Sequence, residues 1–245
     1  MELRGRVALV TGGAHRVGRA IALALGRAGA RVVVHYHRSE VLARGVQADL
    51  AALGVESALA PGDLAVVGDA ERVVDQAQAR WGQLDLLVNS AGIWGKTPIG
   101  EVTQARWDEL IDVNLRGAFF CAQRAAPALR RARGAIVNIA DVGALRPWRN
   151  YTPYLVSKGG VVTLTEALAK DLAPEVRVNA VAPGPVLLPE GWTPEQAERA
   201  ASSVLLKRLG EAYLERSVTA ARLHDFLERH GARSDAARHH DRSPT

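Results

Sequence analysis

Short apolar runs alternate with longer amphipathic segments along most of the chain. The runs are four to six residues long and lie at residues 7–10, 31–34, 57–60, 84–88, 135–139 and 176–181. After the first run, apolar residues recur every three or four positions from Val17 to Leu25, as on one face of a helix. Strands that are buried on both faces read as continuous apolar runs, and their alternation with helices is typical of parallel sheets. Residues 1–209 therefore predict a single α/β domain, a doubly wound parallel sheet of the Rossmann type with helices on both faces.

The pattern changes toward the C-terminus. It breaks at Pro183-Gly184-Pro185, and residues 187–192 predict a loop with room to act as a lid. Residues 210–245 are rich in arginine and hold four of the seven histidines. Apolar positions between Tyr213 and Leu227 predict one amphipathic helix there. No apolar residue recurs beyond residue 231, so we expect a disordered tail.

Composition excludes several classes of protein. The chain has 245 residues, 48% of them hydrophobic, which is enough for a sizeable core. Its single cysteine, Cys121, excludes an intrachain disulfide and a cysteine-rich metal centre, and we expect no metal site. The N-terminus lacks the apolar stretch of a signal peptide, and no run approaches the ~20 apolar residues of a membrane helix. We therefore expect a soluble, cytoplasmic protein with no membrane partner.

The net charge of +5 raises the question of a nucleic-acid partner. Acidic residues are interleaved with the basic ones throughout, and only 5% of the residues are aromatic. No basic block or stacking surface stands out, so we expect no nucleic-acid binding.

A glycine-rich turn follows the first predicted strand. The segment runs from Thr11 through Gly12, Arg16 and Val17 to Gly18, and it leads into the first predicted helix. Glycines allow a tight turn and a close approach of a diphosphate, and the amides at a helix start attract the anion. In a doubly wound sheet this is the place where a dinucleotide binds.

The residues at the end of the second predicted strand indicate which dinucleotide binds. An NAD-binding fold carries an acidic residue there for the ribose 2′-hydroxyl. This chain has His37, Arg38 and Ser39 instead, and no carboxylate before Glu40. Guanidinium, imidazole and hydroxyl groups suit a 2′-phosphate, so we predict NADP(H). The alternative is that His37 and Arg38 are ordinary surface residues.

Further short motifs follow in a fixed order. They are Asp63-Leu64, Asn89-Ser90-Ala91-Gly92, Asn114, Tyr154-Leu155-Val156-Ser157-Lys158 and Pro183-Gly184. Together with the glycine-rich turn they resemble the short-chain dehydrogenases/reductases over residues 1–209. The resemblance implies a homo-oligomer, either a dimer or a tetramer. The last strand of that family has no counterpart in the sequence after residue 210.

The resemblance also implies which residues bind the cofactor. They are Gly12, Arg16, Val17, Gly18, His37, Arg38, Ser39, Asp63, Leu64, Asn89, Ser90, Ala91, Lys158, Pro183, Gly184 and Val186.

Tyr154 and Lys158 form the predicted catalytic pair. At i and i+4 they lie on one face of a helix, and a nearby ammonium favours the phenolate of a tyrosine whose ordinary pKa is about 10. The expected result is acid–base catalysis near neutral pH. The resemblance further implies that Lys158 holds the nicotinamide ribose and that Asn114 supports a water that relays protons.

Three departures from the commonest pattern narrow the resemblance. Arg16 replaces the middle glycine of the turn, Asp141 replaces a serine, and the segment 35–39 differs. Together they resemble the pteridine reductases of the superfamily, and Trp94 falls where those enzymes stack an aromatic ring on the pterin. The implied substrate contacts are Trp94, Arg16, Asp141 and Tyr154. Alternatively, Asp141 caps a turn and Trp94 packs within a lid.

The chemistry of Asp141 agrees with that resemblance. An ionised carboxylate repels the oxyanion that develops when a ketone is reduced, but it stabilises the cationic character of a C=N bond that accepts a proton. We therefore predict NADPH-dependent reduction of a dihydropterin or dihydrofolate, with Tyr154 as proton donor. One alternative is a generic short-chain reductase of a ketone, an aldehyde or a 3-oxoacyl thioester. Another is a non-catalytic NADP(H)-binding protein.

Overall fold

A six-stranded parallel sheet forms the centre of the molecule. The computed structural model describes residues 3–184 together with Thr193 and Glu195. The strands are β1 (Val7–Val10), β2 (Arg31–Tyr36), β3 (Ser57–Pro61), β4 (Leu86–Asn89), β5 (Ala135–Ile139) and β6 (Arg177–Val181). Their order in the sheet is β3-β2-β1-β4-β5-β6, and every neighbouring pair is parallel. The predicted doubly wound topology is confirmed, with the strand order reversing between β1 and β4.

Helices cover both faces of the sheet. They are α1 (Arg16–Arg27), α2 (Glu40–Ala52), α3 (Val67–Trp81), α4 (Gln104–Ile111), α5 (Gly117–Ala132) and α6 (Thr152–Asp171). Along β1, Val7 and Leu9 join the core beneath α3, α5 and α6, whereas Ala8 and Val10 join the core beneath α1 and α2. This burial on both faces explains why the strands read as unbroken apolar runs.

The predicted element boundaries were largely confirmed, with three informative differences. Strand β4 begins at Leu86, two residues later than its apolar run, because Leu84 packs in the core without joining the sheet. Strand β2 extends to Tyr36, which brings His35 into the sheet. Helices α4 and α5 are separated by a π-helical turn at Asp112–Arg116, which contains Asn114.

Several sequence predictions lie outside the described residues. These are the lid at residues 187–192, the cofactor contact at Val186, the domain boundary near residue 209, the amphipathic helix and tail of residues 210–245, and the absent last strand. Among the helices that the structure does describe, none is long and apolar enough to cross a membrane.

Asp85 joins β1 to β4 at the amino-terminal edge of the sheet. Its side chain is only 4% exposed. One carboxylate oxygen pairs with Arg6 at 2.6 Å, and the other accepts hydrogen bonds from the Val7 amide at 2.8 Å and the Gln83 side chain at 3.1 Å. Because Val7 is fully buried, no water can replace the carboxylate at its amide.

Substituting Asp85→Ala should therefore destabilise the protein. It leaves a buried amide and a partly buried guanidinium without their acceptor, which should lower the free energy of unfolding by about 3 kcal/mol. Urea denaturation measures this change. As a matched control, Asp49→Ala breaks the half-exposed pair with Arg19 and should cost less than about 1 kcal/mol. Equal losses for the two variants would contradict the role assigned to Asp85.

Candidate active site

The turns after β1 and β4 meet at the carboxyl-terminal edge of the sheet, where Thr11 joins them. Its hydroxyl oxygen accepts hydrogen bonds from the amides of Ser90 and Ala91, each at 3.0 Å, and donates to the Val88 carbonyl at 3.3 Å. The two turns touch at Gly12, which has a φ of +63° and where a Cβ atom would lie 2.8 Å from the Cα of Ala91. Only glycine fits this contact.

The imidazole of His35 lies beneath the glycine-rich turn. Its Nδ1 accepts a hydrogen bond from the Gly12 amide at 2.9 Å, and its Nε2 donates to the Gly62 carbonyl at 3.0 Å. The Gly13 amide donates to the backbone carbonyl of His35 at 2.9 Å. Burial lowers the pKa of His35 to about 4, so the ring is neutral and carries its proton on Nε2.

These bonds assign separate tasks to the two ends of the turn. The amides of Gly12 and Gly13 are already used by His35, so they serve to shape the turn. Anion binding then falls to the amides at the start of α1, where the first turn of a helix has no internal acceptors. At Gly18 a Cβ atom would lie 2.2 Å from the Gly12 carbonyl oxygen, which keeps α1 close to the turn.

Arg16 begins α1 in an unusual backbone conformation. Its φ is +39°, in the left-handed region that favours glycine. This is the position where the commonest pattern of the family has the middle glycine of the turn. The positive charge of Arg16 acts to lower the pKa of Tyr154, so the guanidinium is near enough to the phenol to influence it. The sequence had placed Arg16 at both the cofactor and the substrate, and this location is compatible with either contact.

The residues predicted to bind the adenosine end gather where β2 and β3 end. His37 lies 3.7 Å from the Asp63 carboxylate, and Ser39 bonds to His15 of the glycine-rich turn. The side chain of Arg38 is exposed beside them. The structure thus brings these side chains into one neighbourhood, next to the start of α1.

Two of the predicted cofactor residues direct their side chains elsewhere. The Asn89 amide donates to Asn138 at 2.9 Å and to the Ala118 carbonyl at 3.2 Å, inside the protein between β5 and α5. The side chain of Leu64 is part of the core. Any contact of these two residues with a cofactor is therefore restricted to their backbone. The Pro183 carbonyl accepts from the Val142 amide at 3.0 Å, which places Pro183 and Gly184 beside the loop that follows β5.

Asp141 and Tyr154 form a direct hydrogen bond at the centre of the site. The phenol donates to Oδ2 of Asp141 at 2.6 Å, while Oδ1 accepts from the Gly143 amide at 2.7 Å. Asp141 therefore caps the short turn Val142–Ala144 and binds the tyrosine at the same time, so the two interpretations of this residue are compatible.

The predicted shift in the pKa of Tyr154 was in the wrong direction. Burial of the phenol, and next its hydrogen bond to Asp141, raise the pKa of Tyr154 well above its ordinary value. The phenol is thus held in its protonated form.

The ammonium of Lys158 forms its hydrogen bond with a backbone carbonyl rather than with the phenol. This ammonium is buried and donates to the backbone carbonyl of Ile139 at 2.8 Å. Burial lowers the pKa of Lys158 to about 8, and the nearby Asp141 carboxylate only partly offsets this effect. Lys158 and Tyr154 therefore share a helix face but have separate partners.

Asn114 connects the loop after β4 to α6. Its side-chain oxygen accepts from the Ile93 amide at 2.8 Å, and its nitrogen donates to the Ile93 carbonyl and to Ser157, both at 2.9 Å. The Ser157 hydroxyl in turn donates to the Tyr154 carbonyl at 2.7 Å. Ser157 was not among the predicted site residues, although it directly precedes Lys158 in the motif. Asn114 thus positions the helix turn that carries Tyr154, the predicted catalytic tyrosine.

An aromatic cluster borders the same region. Trp94 stacks on Tyr151, with ring centroids 5.8 Å apart and an interplanar angle of 13°. Trp148 meets Tyr151 edge to face at 6.3 Å. Trp94 therefore packs against the protein on one side, as the lid interpretation expected, and remains 46% exposed. Tyr151 and Trp148 are additions to the predicted set, and they could have been suspected from their spacing before Tyr154.

The comparisons with known proteins agree on the family. The family profile described as short chain dehydrogenase matches residues 6–199. A 3-oxoacyl-[acyl-carrier-protein] reductase FabG from Staphylococcus aureus (strain Mu50) is 35% identical over 208 residues, covering 83% of this chain and 85% of the relative. The corresponding protein of Staphylococcus epidermidis (strain RP62A) is 34% identical over the same length.

A solved structure gives the same result. A short-chain alcohol dehydrogenase from Sinorhizobium meliloti 1021 superimposes with a TM-score of 0.80 at 35% identity and covers 85% of each chain. None of these relatives is named as a pteridine reductase, so the narrower resemblance drawn from the sequence is not supported by them. The fold, the order of the motifs and these relatives together establish that the chain belongs to the short-chain dehydrogenase/reductase family.

Proposed function

We propose that this protein is an NADPH-dependent reductase that protonates its substrate through Tyr154. The main support for this proposal is the 2.6 Å hydrogen bond between the Tyr154 hydroxyl and Asp141. Burial and that contact raise the pKa of Tyr154 and keep the phenol protonated, so the proton is present for transfer, while the positive charge of Arg16 acts to lower the pKa and makes the phenol a stronger acid. Bound NADPH would supply the hydride.

The residues at the cofactor site fit NADP(H). His37, Arg38 and Ser39 lie where β2 ends, and segment 35–39 contains no carboxylate that would bind a free ribose hydroxyl. The start of α1 presents helix amides to a diphosphate. Lys158, buried 2.8 Å from the Ile139 carbonyl, is the residue we assign to the nicotinamide ribose.

For the substrate, we propose the C=N bond of a dihydropterin or dihydrofolate. Asp141 places a carboxylate at the proton donor, where it attracts the cationic character of a bond that is being protonated at nitrogen. The same carboxylate would repel the oxyanion formed from a ketone. Trp94, Tyr151 and Trp148 border the site with flat aromatic surfaces, which favour a planar ring.

A second candidate function is the reduction of a 3-oxoacyl thioester. It is supported by the relatives, which are named 3-oxoacyl-[acyl-carrier-protein] reductases and match most of this chain. On sequence similarity alone this candidate has the stronger support. The presence of Asp141 argues against this candidate, because its carboxylate would repel the oxyanion that forms when the 3-oxo group is reduced.

We also propose a homo-oligomer. Trp107, Phe119 and Val156 lie on α4, α5 and α6 and are 39%, 37% and 46% exposed, which is compatible with a covering second copy.

The two candidate substrates can be separated by one assay. Purified protein is mixed with NADPH and with dihydrobiopterin, dihydrofolate or acetoacetyl-CoA, and the loss of reduced nicotinamide absorbance is followed. We expect turnover of the pterins to exceed that of the thioester. Faster turnover of the thioester would select the second candidate, and NADPH binding without turnover of any substrate would indicate a non-catalytic protein.

Tyr154→Phe should lower kcat by about two to four orders of magnitude, since it removes only the proton donor. NADPH affinity, measured by titration, should be unchanged. Full turnover by this variant would show that another group delivers the proton.

Asp141→Ser exchanges the carboxylate for a neutral hydrogen-bond donor. We expect kcat/KM for the dihydropterin to fall by about a hundredfold, while kcat/KM for acetoacetyl-CoA stays constant or rises. An equal loss on both substrates would mean that Asp141 acts only through the turn that it caps.

The pH dependence of kcat/KM for NADPH should show the titration of Lys158. With a pKa of about 8, its ammonium is charged below that pH and becomes neutral above it. If the charge holds the cofactor, kcat/KM for NADPH should decrease as the pH rises through about 8. Lys158→Arg retains the charge at higher pH and should move the decrease upward. The same midpoint in both proteins would exclude Lys158 as its cause.

His35→Phe should weaken cofactor binding without changing the chemistry. It removes the acceptor of the Gly12 amide and the donor to Gly62, so the turn loses its support and the Kd for NADPH should rise about tenfold. At saturating NADPH, kcat should be close to that of the unmodified protein. Val32→Ala, a core change on the same strand, controls for general destabilisation. An unchanged Kd in His35→Phe would show that the turn keeps its shape without the imidazole.

A further inference from the structure

Two loops border the catalytic pair and are joined to each other. One comprises residues 92–100, after β4, and the other residues 142–151, between β5 and α6. The Thr97 amide donates to the Asn150 carbonyl at 2.6 Å, and Thr97 forms a parallel bridge with Tyr151. The loops therefore form one continuous border beside Tyr154.

This border carries more basic than acidic residues. Residues 92–100 and 142–151 contain Lys96, Arg146 and Arg149 and no acidic residue, and they are flanked by Glu101 and Asp141. The three side chains are exposed, and none forms an ion pair with a carboxylate in the described part of the chain. Arg106, which follows the first loop, is by contrast paired with Glu109. We call Lys96, Arg146 and Arg149 the cationic rim.

The aromatic cluster connects the cationic rim to the reacting groups. Trp94 and Trp148 lie in the same two loops and both contact Tyr151. At Gly143 a Cβ atom would lie 2.6 Å from the ring of Trp148, so this ring packs directly on the residue whose amide binds Asp141. A flat ring that is reduced beside Asp141 would thus contact the aromatic cluster, and the two loops that carry this cluster also carry the cationic rim.

We propose that the cationic rim binds a carboxylate-bearing tail of the substrate. The enzyme then prefers a dihydropterin with an anionic tail, such as dihydrofolate, to the neutral dihydrobiopterin. This inference rests on the proposed function and specifies the substrate class of the same site. Exposed charge pairs are individually weak and are screened by salt, so the preference should be moderate and dependent on ionic strength.

The test uses the triple variant Lys96→Gln/Arg146→Gln/Arg149→Gln of the full chain. At low salt, kcat/KM for dihydrofolate should fall about tenfold, and kcat/KM for dihydrobiopterin should change less than about twofold. The difference should shrink as salt is added. The control variant Arg27→Gln/Arg131→Gln/Lys170→Gln removes the same charge from exposed positions away from the site and should leave both values unchanged.

Equilibrium binding gives a second readout that does not need turnover. Folate and biopterin are titrated into the NADP⁺-loaded protein, and quenching of tryptophan fluorescence is followed. The triple variant should bind folate about tenfold more weakly and biopterin equally well.

Each other outcome has a distinct meaning. If the triple variant binds and reduces both pterins as the unmodified protein does, or loses both equally, the cationic rim does not recognise a carboxylate. If it loses only the interaction with an acidic acyl carrier protein, the rim serves a protein partner and the proposal is overturned. If the unmodified protein reduces neither pterin, the proposed function itself fails.

Discussion

All six strands run in the same direction, so the loops that carry the site leave from one edge of the sheet. The reversal of strand order between β1 and β4 opens the crevice there, and the Thr11 hydroxyl holds the two adjoining turns together. This contact joins the glycine-rich turn to the Asn89-Ser90-Ala91-Gly92 turn, so the two sides of the crevice are held in a fixed relation. His35 adds a second support from below, between Gly12 and Gly62.

The electrostatics of the site follow from how its few charges are paired. Asp141 accepts a hydrogen bond from the Tyr154 hydroxyl, and Lys158 donates one to a backbone carbonyl. Burial and this hydrogen bond both raise the pKa of Tyr154, which keeps the proton on the group that we propose as the donor. A cation that develops on a substrate nitrogen is attracted to the carboxylate, whereas an oxyanion is repelled. The family relationship supports an oxidoreductase, and under the proposed function the carboxylate favours the reduction of a C=N bond.

The sequence predicted the sheet well because its strands are buried on both faces, and such burial leaves unbroken apolar runs. It misplaced the start of β4, since Leu84 is a core residue just outside the sheet and its apolar side chain gives no sign of that. The spacing of Tyr154 and Lys158 correctly predicted a shared helix face. It could not reveal the partners, because the carbonyl of Ile139 belongs to a strand far away in the sequence. The support that His35 gives to Gly12 was likewise hidden, since hydrogen-bond partners 23 residues apart leave no periodic signal.

The two candidate substrates differ at the reacting bond more than at their far ends. Dihydrofolate ends in carboxylates, and an acyl thioester on a carrier also brings negative charge to the mouth of the site. An excess of cations at Lys96, Arg146 and Arg149 is therefore compatible with either substrate. Under the proposed function the discriminating group is Asp141, whose Oδ2 lies 2.6 Å from the Tyr154 hydroxyl. A charge so close to the developing bond acts with little screening, whereas the exposed cations act through solvent. Under the proposed function, substrate choice therefore depends first on the partly buried Tyr154–Asp141 contact, and the exposed charges modify it.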